Sequence, residues 1–152
     1  MQLGDFANIA TILGAITAVV VLFYTAFQIR QNTLISQGQF WLELEKMFAG
    51  HDEVHINLRP GGKWAEAGSG PESVEDWAKV EDYMGLFEHC EIMLSKKLID
   101  WNTFGSIFSY RLHNILENEK IVEAKLIEER NSWEGFLRLL KKLQFQISDY
   151  VG

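Results

Sequence analysis

The sequence is short of cysteine, proline and positive charge: it has one Cys and two Pro, and 14 Lys and Arg stand against 21 Asp and Glu, for a formal net charge of −7. A single cysteine cannot close an intrachain disulfide, so a small secreted scaffold held by bridges is excluded and a reducing compartment is the simpler setting. Two prolines and 12 glycines in 152 residues exclude collagen-like and Pro/Gly-rich disordered chains. The acidic balance argues against a nucleic-acid polymer as partner, because neutralising phosphates needs a basic face. No alternating strand pattern of useful length occurs, and there is no Rossmann fingerprint, P-loop or nucleophile elbow. Ser106, between Gly105 and Ile107, falls inside a helical pattern without the strand that an elbow requires. No catalytic residue and no cofactor are expected.

What is abundant is apolar and aromatic side chain, 47% and 12% of the residues, on a chain long enough for one compact domain. From Phe6 to Ile29 there are 24 consecutive residues without a charge. As a helix they would span about 36 Å, enough to cross a hydrocarbon core of about 30 Å with some tilt. The stretch before it, Met1 to Asp5, has no Lys or Arg and the run exceeds a usual signal-peptide core, so a permanent anchor is expected. Arg30 directly after the run predicts that the C-terminal part lies in the cytoplasm. Ala10, Gly14 and Ala18 recur every four residues, a small-residue stripe where another transmembrane helix, from a second copy or a partner subunit, could approach closely.

No Pro or Gly follows until Gly38, and apolar residues continue at helical spacing through Leu34, Phe40, Trp41, Leu44, Met47 and Phe48 to Gly50. The expectation is one long helix from about residue 6 to 49, with Gly38 the place for any kink. The segments are then a short N-terminal stretch over 1–5, a transmembrane helix over 6–29, a juxtamembrane helix over 30–50 continuous with it, and a cytosolic helical domain over 51–152.

The apolar span running into Gln28-Ile29-Arg30-Gln31-Asn32-Thr33, followed by Tyr83-Met84-Gly85-Leu86-Phe87-Glu88 and then Leu98-Ile99-Asp100-Trp101, resembles a broad set of uncharacterised bacterial single-pass proteins. The resemblance covers most of the chain and implies a bacterial inner-membrane protein with a cytosolic helical domain. It supplies no catalytic residues to carry over.

Downstream, 52–59 and 73–96 read as helices separated by a Gly/Pro loop at 60–71, which both prolines bracket. In the second helix Val80, Tyr83, Met84, Phe87, Cys90 and Met93/Leu94 form an apolar stripe opposite an acidic face. Asp100 is placed to cap a helix over 101–117 with Phe104, Ile107, Phe108, Leu112 and Ile115 inward, and Asn118 and Asn131 are placed to cap two more. The fold class is all-α. Trp41, Trp77, Trp101 and Trp133 sit at or beside apolar positions and are expected in the core, whereas Trp64, in the loop, is expected to be exposed.

Candidate chemistry is sparse. His51 and His55 have i,i+4 spacing, but Asp52 stands where a zincin needs its Glu, and a composite with Glu88, His89, Cys90 and Glu91 is weaker than ordinary surface histidines and a packed thiol; no metal is expected. Arg59, Lys63 and Trp64 surround two glycines and could contact an anion or a lipid headgroup, although a simple helix-ending turn explains them too. The reading is a membrane-anchored, non-enzymatic interaction protein, a homo-oligomer or accessory subunit of a larger complex. The alternative is a ligand-gated membrane effector, for instance in anti-phage defence, whose cytosolic domain senses a nucleotide-like signal through Arg59, Lys63 and Arg111 or Arg130.

Overall fold

The structure, a computed structural model, describes residues 3–145, with side chains from Thr17 onward. Over these residues it is helical, without strands: α1 Leu3–Ala49, α2 Asp52–Leu58, α3 Val74–Ser95, α4 Trp101–Leu116, α5 Glu119–Ile121, a π-helical segment Val122–Glu128, a 3₁₀ turn Arg130–Trp133, and α6 Glu134–Lys142. The chain forms two compact units that divide between Leu42 and Glu43. The boundary lies inside α1, so the last turns of the helix assigned from sequence to the juxtamembrane stretch are counted with the second unit.

In the first unit α1 continues through Gly38, as its run of helix-compatible residues requires. Every described side chain from 17 to 39 is exposed, including Val20, Leu22, Phe23 and Phe27. Among the described residues no helix is long and apolar enough to cross a membrane. Of the run from Phe6 to Ile29, the side chains up to residue 16 lie outside the described set, and 17–29 alone falls short of the roughly 20 residues a bilayer needs. In the small-residue stripe, Ala10 and Gly14 likewise lie outside the described side chains, and Ala18 is exposed.

In the second unit the stripe of α3 becomes the core. Val80, Tyr83, Met84, Phe87 and Cys90 are all fully buried. Two caps sit where the sequence places them, Asp100 accepting from Thr103 N and Asn118 Oδ1 from Ile121 N, and at the start of α3 Ser73 Oγ accepts from Asp76 N. On α4, Phe104, Phe108, Leu112 and Ile115 face inward, but Ile107 is 44% exposed because Phe104 and Phe108, one turn apart, fill the contact with α3 and leave its neighbour outside. Of the tryptophans expected in the core, Trp133 is buried, whereas Trp41, Trp77 and Trp101 are half-buried.

Asn131 does not cap the last helix. It lies in the 3₁₀ turn, and α6 begins at Glu134 without a local side-chain cap. Glu88 of α3 supplies the missing acceptor, its Oε1 taking the Phe136 N–H at 3.0 Å. Gly135 allows that approach, since a Cβ there would stand 2.7 Å from the same oxygen. A carboxylate at the positive end of a helix is favourable on electrostatic grounds as well.

Two further charges are drawn inward. Lys125, 5% exposed, holds Glu81 at 2.6 Å and Glu129 at 2.9 Å, and lies 5.1 Å from the Trp77 ring centroid. Burial opposes its charge, but the two carboxylates outweigh burial and hold its pKa above the ordinary lysine value. Glu91 is also 5% exposed; burial is outweighed there by hydrogen bonds from Arg138 and Ser95, and its carboxyl titrates below the usual range.

The tertiary cap is testable. Glu88→Ala should lower the unfolding free energy by about 1–3 kcal/mol, because it leaves the Phe136 N–H without its acceptor. Glu88→Gln, whose amide oxygen still accepts, should cost less. Urea denaturation of the two variants against the wild type measures the difference.

Candidate functional site

The candidate site is built by the loop at 60–71 and the end of α4. Arg59 leaves α2 in extended conformation, as the residue before a proline must, and Pro60-Gly61 form a tight turn closed by Gly62 N–H to Arg59 O at 2.8 Å. Pro at the second turn position with Gly61 at φ +83° at the third is a type II pattern, which requires the glycine. Gly62 is required for a different reason. A Cβ there would fall on the carbonyl oxygens of Ile56 and Asn57, so the loop closes back on α2 only because that position has no side chain.

Trp64, expected at the surface, is 2% exposed. The reason is long-range. Trp64 N donates to Asn57 O at 2.8 Å, and Asn118 Nδ2 donates to Trp64 O at 2.8 Å and to Ser69 O at 3.1 Å. One side chain, Asn118, thus caps α5 and ties down both halves of the loop, and the indole is drawn beneath it. Lys63 Nζ lies 6.0 Å from the indole centroid, while Arg59 and Lys63 both remain exposed.

Beneath the loop is a cavity of about 400 Å³ with Leu58, Pro60 and Trp64 on one side and Asn114, Glu117 and Asn118 on the other. Glu66 also lines it, whereas Arg59 and Lys63 do not. The three residues named from sequence for an anion are therefore divided, with Trp64 inside and the two cations on the surface. Arg111 is engaged elsewhere: it reaches the Tyr83 hydroxyl at 3.4 Å and Asp52 at 3.5 Å, and covers the Phe48 ring at 5.6 Å.

Asn114 is 1% exposed and neither amide atom has a hydrogen-bond partner; Trp64 Nε1 has none either. Among the described residues five buried side-chain atoms lack a partner; three of the five belong to residues that line this cavity, although the atoms themselves are closed off from it, and the others are His55 Nδ1 and Trp133 Nε1. Each such group costs about 1–3 kcal/mol when left unsatisfied, so their concentration at one cavity is the feature to explain. Sequence reasoning missed Asn114. Its signal was a poor helix former standing directly before Ile115 and Leu116 inside a helical pattern.

The other sequence candidates separate. His51 sits before α2 with Nδ1 3.0 Å from Met47 O and its ring stacked on Tyr83, while His55 packs edge-on against Tyr110. Glu88 and Glu91 are committed to Phe136 N and Arg138, and Cys90 is fully buried with its thiol pushed up to about 12 by burial. Among the described residues no three His, Cys, Asp or Glu side chains converge as metal ligands.

The chain was compared with family models, curated proteins and solved structures. None matches.

His55 provides a pH-dependent readout of this region. Burial, then the Arg111 charge, lowers its pKa from 6.5, against a smaller opposing effect of Asp52. A folded value below the unfolded one means that the unfolded chain binds more protons as pH falls. The stability contribution is thus complete above about pH 6.5 and declines as pH drops through the lowered value. The urea midpoint should fall between pH 7.5 and 5.5, and His55→Gln should make that fall shallower.

Proposed function

We propose that this protein is a membrane-anchored, non-enzymatic interaction protein whose N-terminal helix is the anchor and whose second unit is a cytoplasmic helical domain. The observation that carries the reading is the uncharged run from Phe6 to Ile29 on a single helix, the described part of which exposes Val19, Val20, Val21, Leu22, Phe23 and Phe27. A helix apolar all round its circumference is unfavourable in water and finds its solvent in lipid or among other apolar helices. Arg30, followed by Lys46 farther along the helix, supports the orientation. The partners are membrane lipid and another transmembrane helix, from a second copy or from the accessory site of a larger bacterial inner-membrane complex.

Alkaline carbonate extraction of cell membranes tests the anchor: the full chain should stay in the pellet, and recovery in the supernatant would overturn the reading. Orientation follows from a membrane-impermeant maleimide. Cys90 is silent because it is buried and its thiol is protonated, so the label is read at a thiol introduced by Glu72→Cys at an exposed position. It should react only after the cells are opened.

The stripe of Ala10, Gly14 and Ala18 belongs to the same proposal as the packing face. Close approach of backbones drives helix association in lipid, so Gly14→Leu should reduce the assembly size in detergent, while Val20→Leu should leave it unchanged. An unchanged assembly in Gly14→Leu would remove the stripe from the proposal.

A further inference from the structure

In a chain with a net charge of −7, Arg130, Arg138, Lys141 and Lys142 all fall between positions 130 and 142, where Glu134 is the one carboxylate. The fold gives them a groove of about 750 Å³ at the end of α6, lined by Arg130, Arg138 and Lys141 together with Leu137, Leu140 and Phe145. No carboxylate among the described residues lines it. Glu134, 3.8 Å from Arg138, lines the adjoining hollow instead.

The way α6 ends shapes this groove. Gln144 takes a left-handed conformation, φ 65°, with its N–H donating to Lys141 O at 3.3 Å, while Phe145 N–H donates to Leu140 O at 3.0 Å. This closure turns the chain back and brings Phe145 to the wall that Leu137 and Leu140 share. Leu143 N–H donates to Leu139 O, so backbone groups occupy the carbonyls of Leu139, Leu140 and Lys141 at the negative end of the helix, and the Lys141 ammonium is not consumed in capping them. Arg138 is held by Glu91 and Glu134, whereas Arg130 and Lys141 are exposed and have no carboxylate partner among the described residues.

Two unpaired cations beside the half-buried Leu137 and Phe145 suit a ligand whose negative charge adjoins an apolar part. A phospholipid has that build, its phosphate joined through glycerol to acyl chains. Inorganic phosphate lacks the apolar part, and a choline headgroup brings a positive charge that the cations repel.

We propose that this groove binds the headgroup of an anionic phospholipid, with Arg130 and Lys141 holding the phosphate and Leu137 and Phe145 lying against the glycerol and the first acyl carbons. The inference rests on the membrane reading, which gives the protein access to lipid, and adds the class of lipid and its place in the second unit.

The test is native mass spectrometry and thermal shift of the full chain in a non-ionic detergent with added phosphatidylglycerol, phosphatidylcholine or inorganic phosphate. Phosphatidylglycerol should form adducts and raise the melting temperature, and the other two should do neither. Joint Arg130→Gln and Lys141→Gln substitution should weaken the lipid binding by about tenfold or more and leave the melting temperature of the lipid-free protein unchanged, since neither side chain has a carboxylate partner to lose. Lys141→Arg should keep the binding, and so should Arg30→Gln, which removes the cation next to the apolar run. Equal binding of phosphatidylcholine or inorganic phosphate overturns the proposal, as does undiminished binding by the double variant or loss of binding in Arg30→Gln. Carbonate extraction reports on the anchor separately: a chain that is extracted yet binds the anionic lipid through Arg130 and Lys141 refutes the anchor alone, and one that stays in the pellet without such binding refutes the groove alone.

Discussion

The second unit depends on the burial of one ring. Phe87 of α3 meets Phe48 from the end of α1 at 4.8 Å, Tyr83 at 5.4 Å, Phe136 of α6 at 5.9 Å, and Phe108 and Phe104 of α4 at 6.4 and 6.5 Å. Most of these contacts are edge-to-face, the arrangement that places the positive ring edge on the negative face. Four helices thus share one aromatic centre. Rings of this size bury large apolar areas, and their fixed shapes leave little freedom in how the end of α1 from Glu43 onward, α3, α4 and α6 are set around it.

Around that centre, polar groups are satisfied by partners distant in sequence. Glu88 caps α6 across 48 positions, Lys125 reaches back to Glu81, and Arg138 to Glu91. Each pair joins α3 to a later segment, so α3 supplies carboxylates to the rest of the unit as well as its apolar stripe. The acidic face that the sequence displays as a solvated surface is in part a set of docking points for the C-terminal helices. Burying one partner of such a pair is tolerable only because the other is present, which makes the pairs specific for this packing.

Most of the exceptions to this satisfaction among the described residues lie at the loop. There Asn118 completes its hydrogen bonds three times over, whereas Asn114, one helical turn earlier, completes none. Two asparagines on adjoining turns have thus been given opposite fates by the path of the loop. One holds the loop in place, and the other is sealed beneath it without a partner.

Legible in the sequence alone were the helical class, the long first helix, the positions of α2, α3 and α4, and the caps at Asp100 and Asn118. These are readable because periodicity and capping act within three or four residues of their cause. Tertiary structure decided the rest. It turned Trp64 inward through bonds to Asn57 and Asn118, replaced Asn131 by Glu88 as the cap of α6, left Ile107 outside, and buried Lys125 between two carboxylates. It also placed Asn114 beside Trp64, 50 positions away, and so made a cavity from residues that show no common pattern along the chain. Such pairings depend on which surfaces meet once the aromatic core has closed, and no local spacing encodes that.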